Sequence, residues 1–193
     1  MTLSDCKDDA KAYLIDLAQV LGRFDLAQFD RFVAALNEAR SRDAAMYIFG
    51  NGGSGSTASH FVADINKGAS YGKRSRFRMH CLNDNIPLML AYSNDVSYDV
   101  VFAEQVKNHV RQGDLVIGIS GSGNSKNVLL AIDEAKRAGA RTFGLCGFGG
   151  GKLAPLCDDA IIVQSNDMQK VEDAHVIVMH MLLQALCKEQ APV

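Results

Sequence analysis

Two segments rich in glycine and serine are the residues of this sequence best suited to binding a phosphate. They are GNGGSGST at 50–57 and SGSGNS at 120–125. Glycine lets the backbone approach a ligand closely, hydroxyl and N–H groups donate hydrogen bonds to oxygen, and the N-terminus of a following helix favours negative charge. The two segments therefore predict a phosphate site built without a lysine. A third glycine-rich segment, at 147–151, is equally consistent with a tight turn.

These segments do not fit two better-known phosphate motifs. Gly50, Gly52 and Gly55 satisfy the pattern G-x-G-x-x-G, but a dinucleotide site also expects an acidic residue about 20 positions later. The nearest candidate, Asp84, lies 29 positions after Gly55. A P-loop is excluded because the Gly-Lys pair at 151–152 is followed by leucine rather than by serine or threonine.

Histidine and carboxylate side chains form a second group of candidates. His60 and Asp64 are four residues apart, so they share one face of a helix and could bind a metal or form a surface pair. Glu172 and His180 are eight residues apart, a rise of about 12 Å in a straight helix. One metal cannot easily take both from a single regular helix, so either that helix is irregular or the two ligands come from different subunits. His175, between them, is also consistent with a buried histidine whose ring is hydrogen-bonded.

Strand, loop and helix units would place these groups together. Short apolar segments that end in a polar or glycine-containing turn are followed by helical segments, the pattern of a parallel α/β sheet. The segments with this pattern are 45–50, 114–120, 140–147 and 159–165. Between the first two lies the segment 77–82, and a helix is predicted at about 99–111. Because ligands bind at the carboxyl ends of the strands in open α/β sheets, the glycine-rich segments are expected at one edge.

Helices at both ends of the chain indicate contacts beyond one subunit. Residues 3–41 have two stretches of helical periodicity, broken near Gly22-Arg23-Phe24. The last helix, at about 168–188, is apolar on nearly every face, and such a helix must be buried on every face. We expect a homo-oligomer of single-domain chains (residues 1–193), in which residues 1–41 contribute to subunit contacts and residues 45–193 form the α/β core.

Composition excludes several function classes. The chain has 193 residues, 48% of them hydrophobic, and a formal net charge of −2. This balance is that of a globular protein and argues against a dedicated nucleic-acid binder, which carries a basic excess. The five cysteines lack the spacing of a zinc finger or a disulfide framework. With neither a secretory signal nor an apolar run of about 18 residues, the sequence predicts a cytoplasmic protein without a membrane span.

Four segments together resemble a known family. GNGGS at 50–54, ND at 94–95, GISGSGNS at 118–125 and the last helix with Glu172 and His180 are similar to the sugar isomerase (SIS) domain family, and within it to the phosphoheptose isomerases. The resemblance implies a five-stranded parallel sheet between helices and a homotetramer with active sites between subunits. It also implies isomerisation of sedoheptulose 7-phosphate to D-glycero-D-manno-heptose 7-phosphate, in the synthesis of heptoses for lipopolysaccharide, capsule or glycoproteins.

The resemblance also assigns roles to individual residues. Asp64 would act as the general base and His180 as the general acid of an enediol mechanism. One Zn²⁺ per active site would be held by His60, Asp64, Glu172 and His180. Asp64 stands where the family has glutamate and Glu172 where it has glutamine, which changes side-chain reach and adds negative charge. The residues implied to contact the sugar phosphate are Asn51, Gly52, Gly53, Ser54, Asn94, Asp95, Ser120, Gly121, Ser122, Ser125 and Glu172.

Two other functions stay open on the sequence alone. One is a non-catalytic SIS protein, either a phosphosugar-binding regulator or an adaptor like the family members that bind a replication initiator. The other is an isomerase of a different phosphosugar, with Asp64 and Glu172 reshaping the site. The sequence keeps His60, a carboxylate at 64 and His180. This set favours an enzyme over a non-catalytic SIS protein.

Overall fold

Five strands form one sheet in the computed structural model, which describes residues 3–188 of the chain and the side chains of residues 6–188. The strands are β1 (Ala45–Gly50), β2 (Arg78–Cys81), β3 (Leu115–Ser120), β4 (Arg141–Cys146) and β5 (Asp159–Ile162). Their order is β2-β1-β3-β4-β5, and every neighbouring pair is parallel. The four predicted strands lie inside their segments, and the segment 77–82 between the first two contains β2, so the expected five-stranded parallel α/β sheet is confirmed.

Eight α-helices accompany the sheet within the described residues. They are α1 (Leu3–Gly22), α2 (Leu26–Ser41), α3 (Gly52–Ala63), α4 (Ile86–Asp95), α5 (Ala103–His109), α6 (Lys126–Arg137), α7 (Leu153–Leu156) and α8 (Met168–Lys188). The predicted break after α1 is confirmed: the Asp25 carboxylate caps α2 by accepting a 2.9 Å hydrogen bond from a backbone N–H. The predicted helix at 99–111 is a 3-10 turn at Tyr98–Val100 followed by α5, because the Ser97 hydroxyl caps that turn separately.

The order of the strands opens a crevice beside β1. After β1 the chain adds β2 on one side, and after β2 it crosses back to add β3 on the other side. This reversal leaves a crevice at the carboxyl ends of β1 and β3, where ligands of such sheets bind. Residues 50–57 and 120–125 start at those two ends. We call them the first and second glycine loops, and the fold places both at the crevice.

Apolar side chains cover both faces of the sheet. On one face, α2, α3 and α8 pack with the strands around Phe32, whose ring stacks on Phe143 with centroids 4.1 Å apart. On the other face, α5, α6 and α7 pack around Phe102, whose ring stacks on Phe49 at 4.9 Å. Helices therefore flank both faces, and the predicted doubly wound arrangement is confirmed.

Helix α8 is a regular α-helix over its whole described length. The irregular-helix alternative for Glu172 and His180 is therefore wrong. One stripe of α8 is buried within the chain, whereas the side chain of His180 is 49% exposed. Among the described helices, α8 included, none has both the length and the apolar character that crossing a membrane requires.

Candidate active site

The first glycine loop connects β1 to α3 by a sharp turn. β1 ends at Gly50 and α3 begins at Gly52, which has a φ of +51°. A Cβ on Gly50 would lie 2.7 Å from the Ser54 side chain, so both positions need glycine. The first N–H groups of α3 have no partner inside the helix and lie at this loop, where an anion can accept their hydrogen bonds.

The second glycine loop brings the three predicted serine hydroxyls to the start of α6. The Oγ atoms of Ser120 and Ser125 are 2.9 Å apart, and Ser125 N–H donates to Ser120 Oγ at 3.4 Å. The Ser122 hydroxyl accepts from Asn124 N–H at 3.2 Å. Gly123 has a φ of +67°, a turn conformation that favours glycine. The serines therefore form a compact set of donors ahead of a helix N-terminus.

The third glycine-rich segment, residues 147–151, supports the second glycine loop. Gly147 N–H donates to the Gly121 carbonyl oxygen at 2.8 Å, and Lys152 N–H donates to the Gly123 carbonyl oxygen at 3.0 Å. These bonds hold the backbone of the second loop from the side of β4. The segment thus acts as a bracing turn, and the predicted contact Gly121 has its carbonyl engaged with it.

A pair of side-chain amides ties the two glycine loops together. Asn51 Nδ2 donates to Asn127 Oδ1 at 2.9 Å, and Asn127 Nδ2 donates back to Asn51 Oδ1 at 2.8 Å. The Tyr98 hydroxyl adds a hydrogen bond of 2.8 Å to Asn51 Oδ1. Since an amide has two N–H donors, Asn51 keeps one of them for a ligand. No local sequence signal points to Asn127 or Tyr98, which lie 76 and 47 positions from Asn51.

Three of the predicted catalytic and metal-binding residues come together between α3 and α8, and we call them the His60–Asp64–His180 trio. His60 Nε2 lies 3.4 Å from Asp64 Oδ2, and His180 Nε2 lies 3.9 Å from the same oxygen. The imidazole rings meet edge to face with centroids 5.2 Å apart. Because the candidate ligand atoms all lie within 4.8 Å of one another, one metal ion could bind all three residues. The side chains are 26% to 53% exposed, so a substrate can reach them.

A change of helix type sets the position of Asp64. Helix α3 ends at Ala63, and Asp64–Gly68 form a π-helical turn. Asn66 fixes this turn to β2, because its amide donates to the Met79 carbonyl oxygen at 2.8 Å and accepts from Met79 N–H at 3.3 Å. Such turns occur frequently at functional sites. The sequence predicts a plain helix here, so the π-helical turn is a departure from that expectation.

The members of the trio lie at different heights along α3. Helix α3 runs away from the carboxyl edge of the sheet, with a rise of about 12 Å from Gly52 to His60 and about 18 Å to Asp64. His60 lines one cavity with Gly53, Ser56 and Thr57 of the first glycine loop, so the expected imidazole lies next to the loop. Asp64 is one turn further along the helix, and its carboxylate lies beside His60 rather than in that cavity lining.

Glu172 lies against the first glycine loop rather than in the trio. A Cβ added to Gly53 would be 2.7 Å from Glu172 Oε2, so this carboxylate rests on the first turn of α3, where the helix dipole favours negative charge. Glu172, Gly53 and His60 line a cavity of about 390 Å³. Because α8 is regular, Glu172 and His180 are about 12 Å apart along its axis. The role of Glu172 as a metal ligand stays a prediction.

The remaining predicted substrate contacts differ in their exposure. Ser54 is 6% exposed in the first turn of α3. Asn94 and Asp95 lie exposed in the last turn of α4, where Asn94 Nδ2 donates to Asp95 Oδ1 at 2.7 Å. Their contact with a substrate stays a prediction.

His175 is buried on α8, as one of the sequence alternatives expected. It is 1% exposed, and its Nε2 lies 3.3 Å from the Cys146 carbonyl oxygen at the end of β4. Its Nδ1 has no hydrogen-bond partner in the described part of the chain, so the ring is only half satisfied. Burial lowers the pKa of His175 to about 4, which keeps the ring neutral near pH 7.

Comparison with known proteins identifies the family. Residues 12–147 match the sequence model of the SIS domain. The chain belongs to the SIS-domain family. The phosphoheptose isomerase of Helicobacter pylori is 41% identical to this SIS-domain protein over 150 residues, 78% of each. That of Citrifermentans bemidjiense is 32% identical over 187 residues, 97% of this chain and 96% of that protein.

A solved structure supports the same assignment. The structure of phosphoheptose isomerase GmhA from Neisseria gonorrhoeae matches this SIS-domain protein with a TM-score of 0.87 and 25% identity. The match covers 97% of this chain and 100% of that one. Together with the curated relatives, it identifies the SIS-domain protein as an isomerase.

Proposed function

We propose that this isomerase acts on a sugar phosphate, converting sedoheptulose 7-phosphate to D-glycero-D-manno-heptose 7-phosphate. The proposal rests on the trio, in which one carboxylate lies within 3.9 Å of two imidazoles in a chain that also carries two glycine loops. Aldose–ketose isomerisation needs a base at carbon, an acid at oxygen and a group that stabilises an enediolate. The relatives are named phosphoheptose isomerases, which supports a seven-carbon substrate.

The glycine loops bind the phosphate group in this proposal. The hydroxyls of Ser120, Ser122 and Ser125 and the first N–H groups of α3 and α6 donate to its oxygens, and both helix N-termini favour the anion. Asn51 offers its remaining N–H beside them. Glu172, in the cavity next to the first loop, accepts hydrogen bonds from sugar hydroxyls.

Asp64 and His180 move the protons of the reaction. Asp64 removes a proton from C1 of the ketose while His180 donates a proton to the oxygen on C2, which gives the enediol. His180 then accepts the proton of the C1 hydroxyl as Asp64 returns its proton to C2, which gives the aldose. Each residue ends the cycle in its starting protonation state, and no other proton donor is required.

The donor atoms of the trio fit zinc. Two imidazole nitrogens and a carboxylate oxygen are ligands that Zn²⁺ accepts. When bound, zinc would polarise the substrate carbonyl and stabilise negative charge on its oxygen. His60, Asp64 and His180 would hold it from one chain, and Glu172 of the partner subunit would supply a further ligand.

A homotetramer completes the active site in this proposal. Helix α3 rises about 18 Å from Gly52 to Asp64, which supports an active site whose glycine loops and Asp64 come from different subunits. Leu14, Ile15 and Leu26 are exposed on the first two helices and supply apolar surface for association. We therefore assign residues 1–41 to subunit contacts. The proposal also places the enzyme in the cytoplasm, at the start of heptose synthesis.

Incubation with candidate substrates tests this function. The protein is loaded with Zn²⁺ and incubated with sedoheptulose 7-phosphate and with shorter ketose phosphates, and NMR follows the appearance of the matching aldoses. We expect an aldose only from the seven-carbon sugar. Turnover of a shorter sugar alone would assign a different substrate. Binding of these sugars without turnover of any would contradict the reaction and favour a phosphosugar-binding regulator.

A further inference from the structure

A basic cavity lies at the end of the sheet opposite the glycine loops. Residues 73–78, KRSRFR, connect the π-helical turn to β2 and contain four of the 20 Lys and Arg residues of the chain. The cavity, of about 650 Å³, is lined by Arg74, Arg76 and Arg78 and by Arg40 of α2. One acidic residue, Asp43, also lines it, so four guanidinium groups share the cavity with a single carboxylate.

Two of the four arginines are held in place by the protein. Arg78 Nη1 donates to the Asp43 carbonyl oxygen at 2.7 Å and lies 3.4 Å from its carboxylate. The Arg40 guanidinium lies over a phenylalanine ring, 4.8 Å from the centroid. Arg74 and Arg76 are exposed, and across residues 6–188 neither has a hydrogen bond or an ion pair with another side chain. The cavity therefore has a fixed basic wall and two guanidinium groups that can turn onto a ligand.

This cavity is separate from the proposed phosphate site. Arg78 is the first residue of β2, and Asp43 lies two positions before the first residue of β1. The glycine loops follow the other ends of the strands, about 17 Å away along β1. None of the residues that line the cavity belongs to either loop or to the trio. An anion bound there would therefore not occupy the glycine loops.

We propose that the cavity is a second anion site, which binds a small molecule carrying two adjacent phosphates. Guanidinium groups match phosphate oxygens with paired N–H donors. The volume of about 650 Å³ falls within the range of small-molecule sites, about 300–1,000 Å³. Arg74 and Arg76, which have no partner side chain among residues 6–188, offer one set of paired donors to each of two phosphates. A diphosphate therefore suits the cavity better than a single phosphate does.

Calorimetric titration with pyrophosphate tests the proposal. The full chain is titrated at about 150 mM salt, which screens weak attraction to exposed charges. The same titration is made on the double variant Arg74→Gln/Arg76→Gln, whose exposed substitutions should leave the thermal midpoint unchanged. We expect the dissociation constant to rise at least about tenfold, while kcat and KM of the isomerase stay unchanged. Absence of pyrophosphate binding to the unaltered chain would overturn the proposal.

Two further variants locate the bound pyrophosphate. Lys7→Gln/Lys11→Gln removes the same charge from α1 and should bind as the unaltered chain does. Ser122→Asp places a carboxylate in the second glycine loop, repels anions there and should leave the cavity site intact. If the lysine variant binds pyrophosphate as weakly as the arginine variant does, the attraction is a general effect of charge. If Ser122→Asp loses all pyrophosphate binding, the pyrophosphate binds at the second glycine loop instead of the cavity. Either result, or a higher KM in the arginine variant, would overturn the proposal. Because binding is measured without turnover, failure of the proposed isomerisation would be seen separately.

Discussion

Asp64 is the central residue of the proposed chemistry. Both imidazoles of the trio approach the same carboxylate oxygen, Oδ2, at 3.4 and 3.9 Å. This oxygen can serve the histidines, or a metal that they share, while Oδ1 is left to accept a proton from carbon. A carboxylate that ligated a metal tightly through both oxygens could not act as a base. The geometry therefore allows the Asp64 side chain to ligate a metal through Oδ2 and to act as the base through Oδ1.

Replacing Asp64 by asparagine should abolish isomerisation and leave sugar phosphate binding intact. The amide keeps the shape of the side chain but has no basic oxygen, so kcat should fall at least about 100-fold. His180→Gln should have the same effect, because an amide cannot exchange a proton near pH 7. The glycine loops are unchanged in both variants, so the dissociation constant of the sugar phosphate should change little. NMR measures turnover, and calorimetry measures binding.

Asp133→Asn is the matched control for the loss of one carboxylate. Asp133 lies on α6, outside the segment assigned to subunit contacts and away from the glycine loops and the trio in sequence. This variant should keep the kcat and the dissociation constant of the unaltered chain. Near-normal turnover by Asp64→Asn or His180→Gln would rule out the proposed acid and base.

At the scale of elements, strands are more predictable from this sequence than helix ends. A strand of a parallel sheet is apolar on both faces, so it gives a continuous apolar run, and β1 is buried at every position from Ala45 to Gly50. Helix ends depend on single capping hydrogen bonds. The Ser97 cap divides the predicted 99–111 helix, and Asn85 starts α4 by accepting from Leu88 N–H at 3.2 Å. Periodicity alone does not detect these bonds.

The same distinction holds for the candidate site. The glycine loops are predictable because a run of glycine and serine residues at consecutive positions is enough to indicate an anion-binding turn. The amide pair of Asn51 and Asn127 joins residues 76 positions apart, and the π-helical turn depends on the bonds of Asn66 to β2. The distance from the first glycine loop to Asp64 depends on the direction of α3. These features arise from contacts between elements, which spacing along the chain does not contain.

The packing of α8 on β4 should make the protein sensitive to acid. Burial lowers the pKa of His175 from 6.5 to about 4. Between these values the unfolded chain binds a proton that the folded chain does not, so stability falls as the pH drops from about 6.5 to about 4. The free energy of unfolding should lose about 3 kcal/mol by pH 4 through this residue. Urea unfolding between about pH 8 and pH 4 measures the loss.

Two variants separate His175 from the other groups that titrate in acid. His175→Gln removes the titrating ring. The fall in its free energy of unfolding over this pH range should therefore be about 3 kcal/mol smaller than that of the unaltered chain. His109→Gln removes an exposed histidine at the end of α5 and should keep the pH dependence of the unaltered chain. The same pH dependence in all three proteins would contradict a buried, neutral His175.

At the scale of the whole molecule, a single chain separates Asp64 from the start of the first glycine loop and leaves apolar side chains exposed. Along α3, Asp64 of the trio lies about 18 Å from Gly52 at the start of the first glycine loop. Leu14, Ile15 and Leu26 are 50% to 66% exposed, and an apolar cavity of about 270 Å³ lies between Leu21, Phe24, Leu26 and α8. Exposed apolar patches of this kind mark contacts with another protein surface. A second copy of the chain would cover this surface and could bring its glycine loops to the trio.

Two inactive variants should therefore restore activity when they share one oligomer. Asp64→Asn retains intact glycine loops, and Ser122→Asp retains an intact trio, so a site with loops from the first and a trio from the second is complete. If the subunits mix at random, about a quarter of the sites should be complete, and turnover should reach about a quarter of the unaltered value. The variants are co-expressed with different tags, purified through both tags and assayed by NMR. Turnover no higher than that of the separate variants, or a monomeric mass by light scattering, would show that each active site lies within one chain.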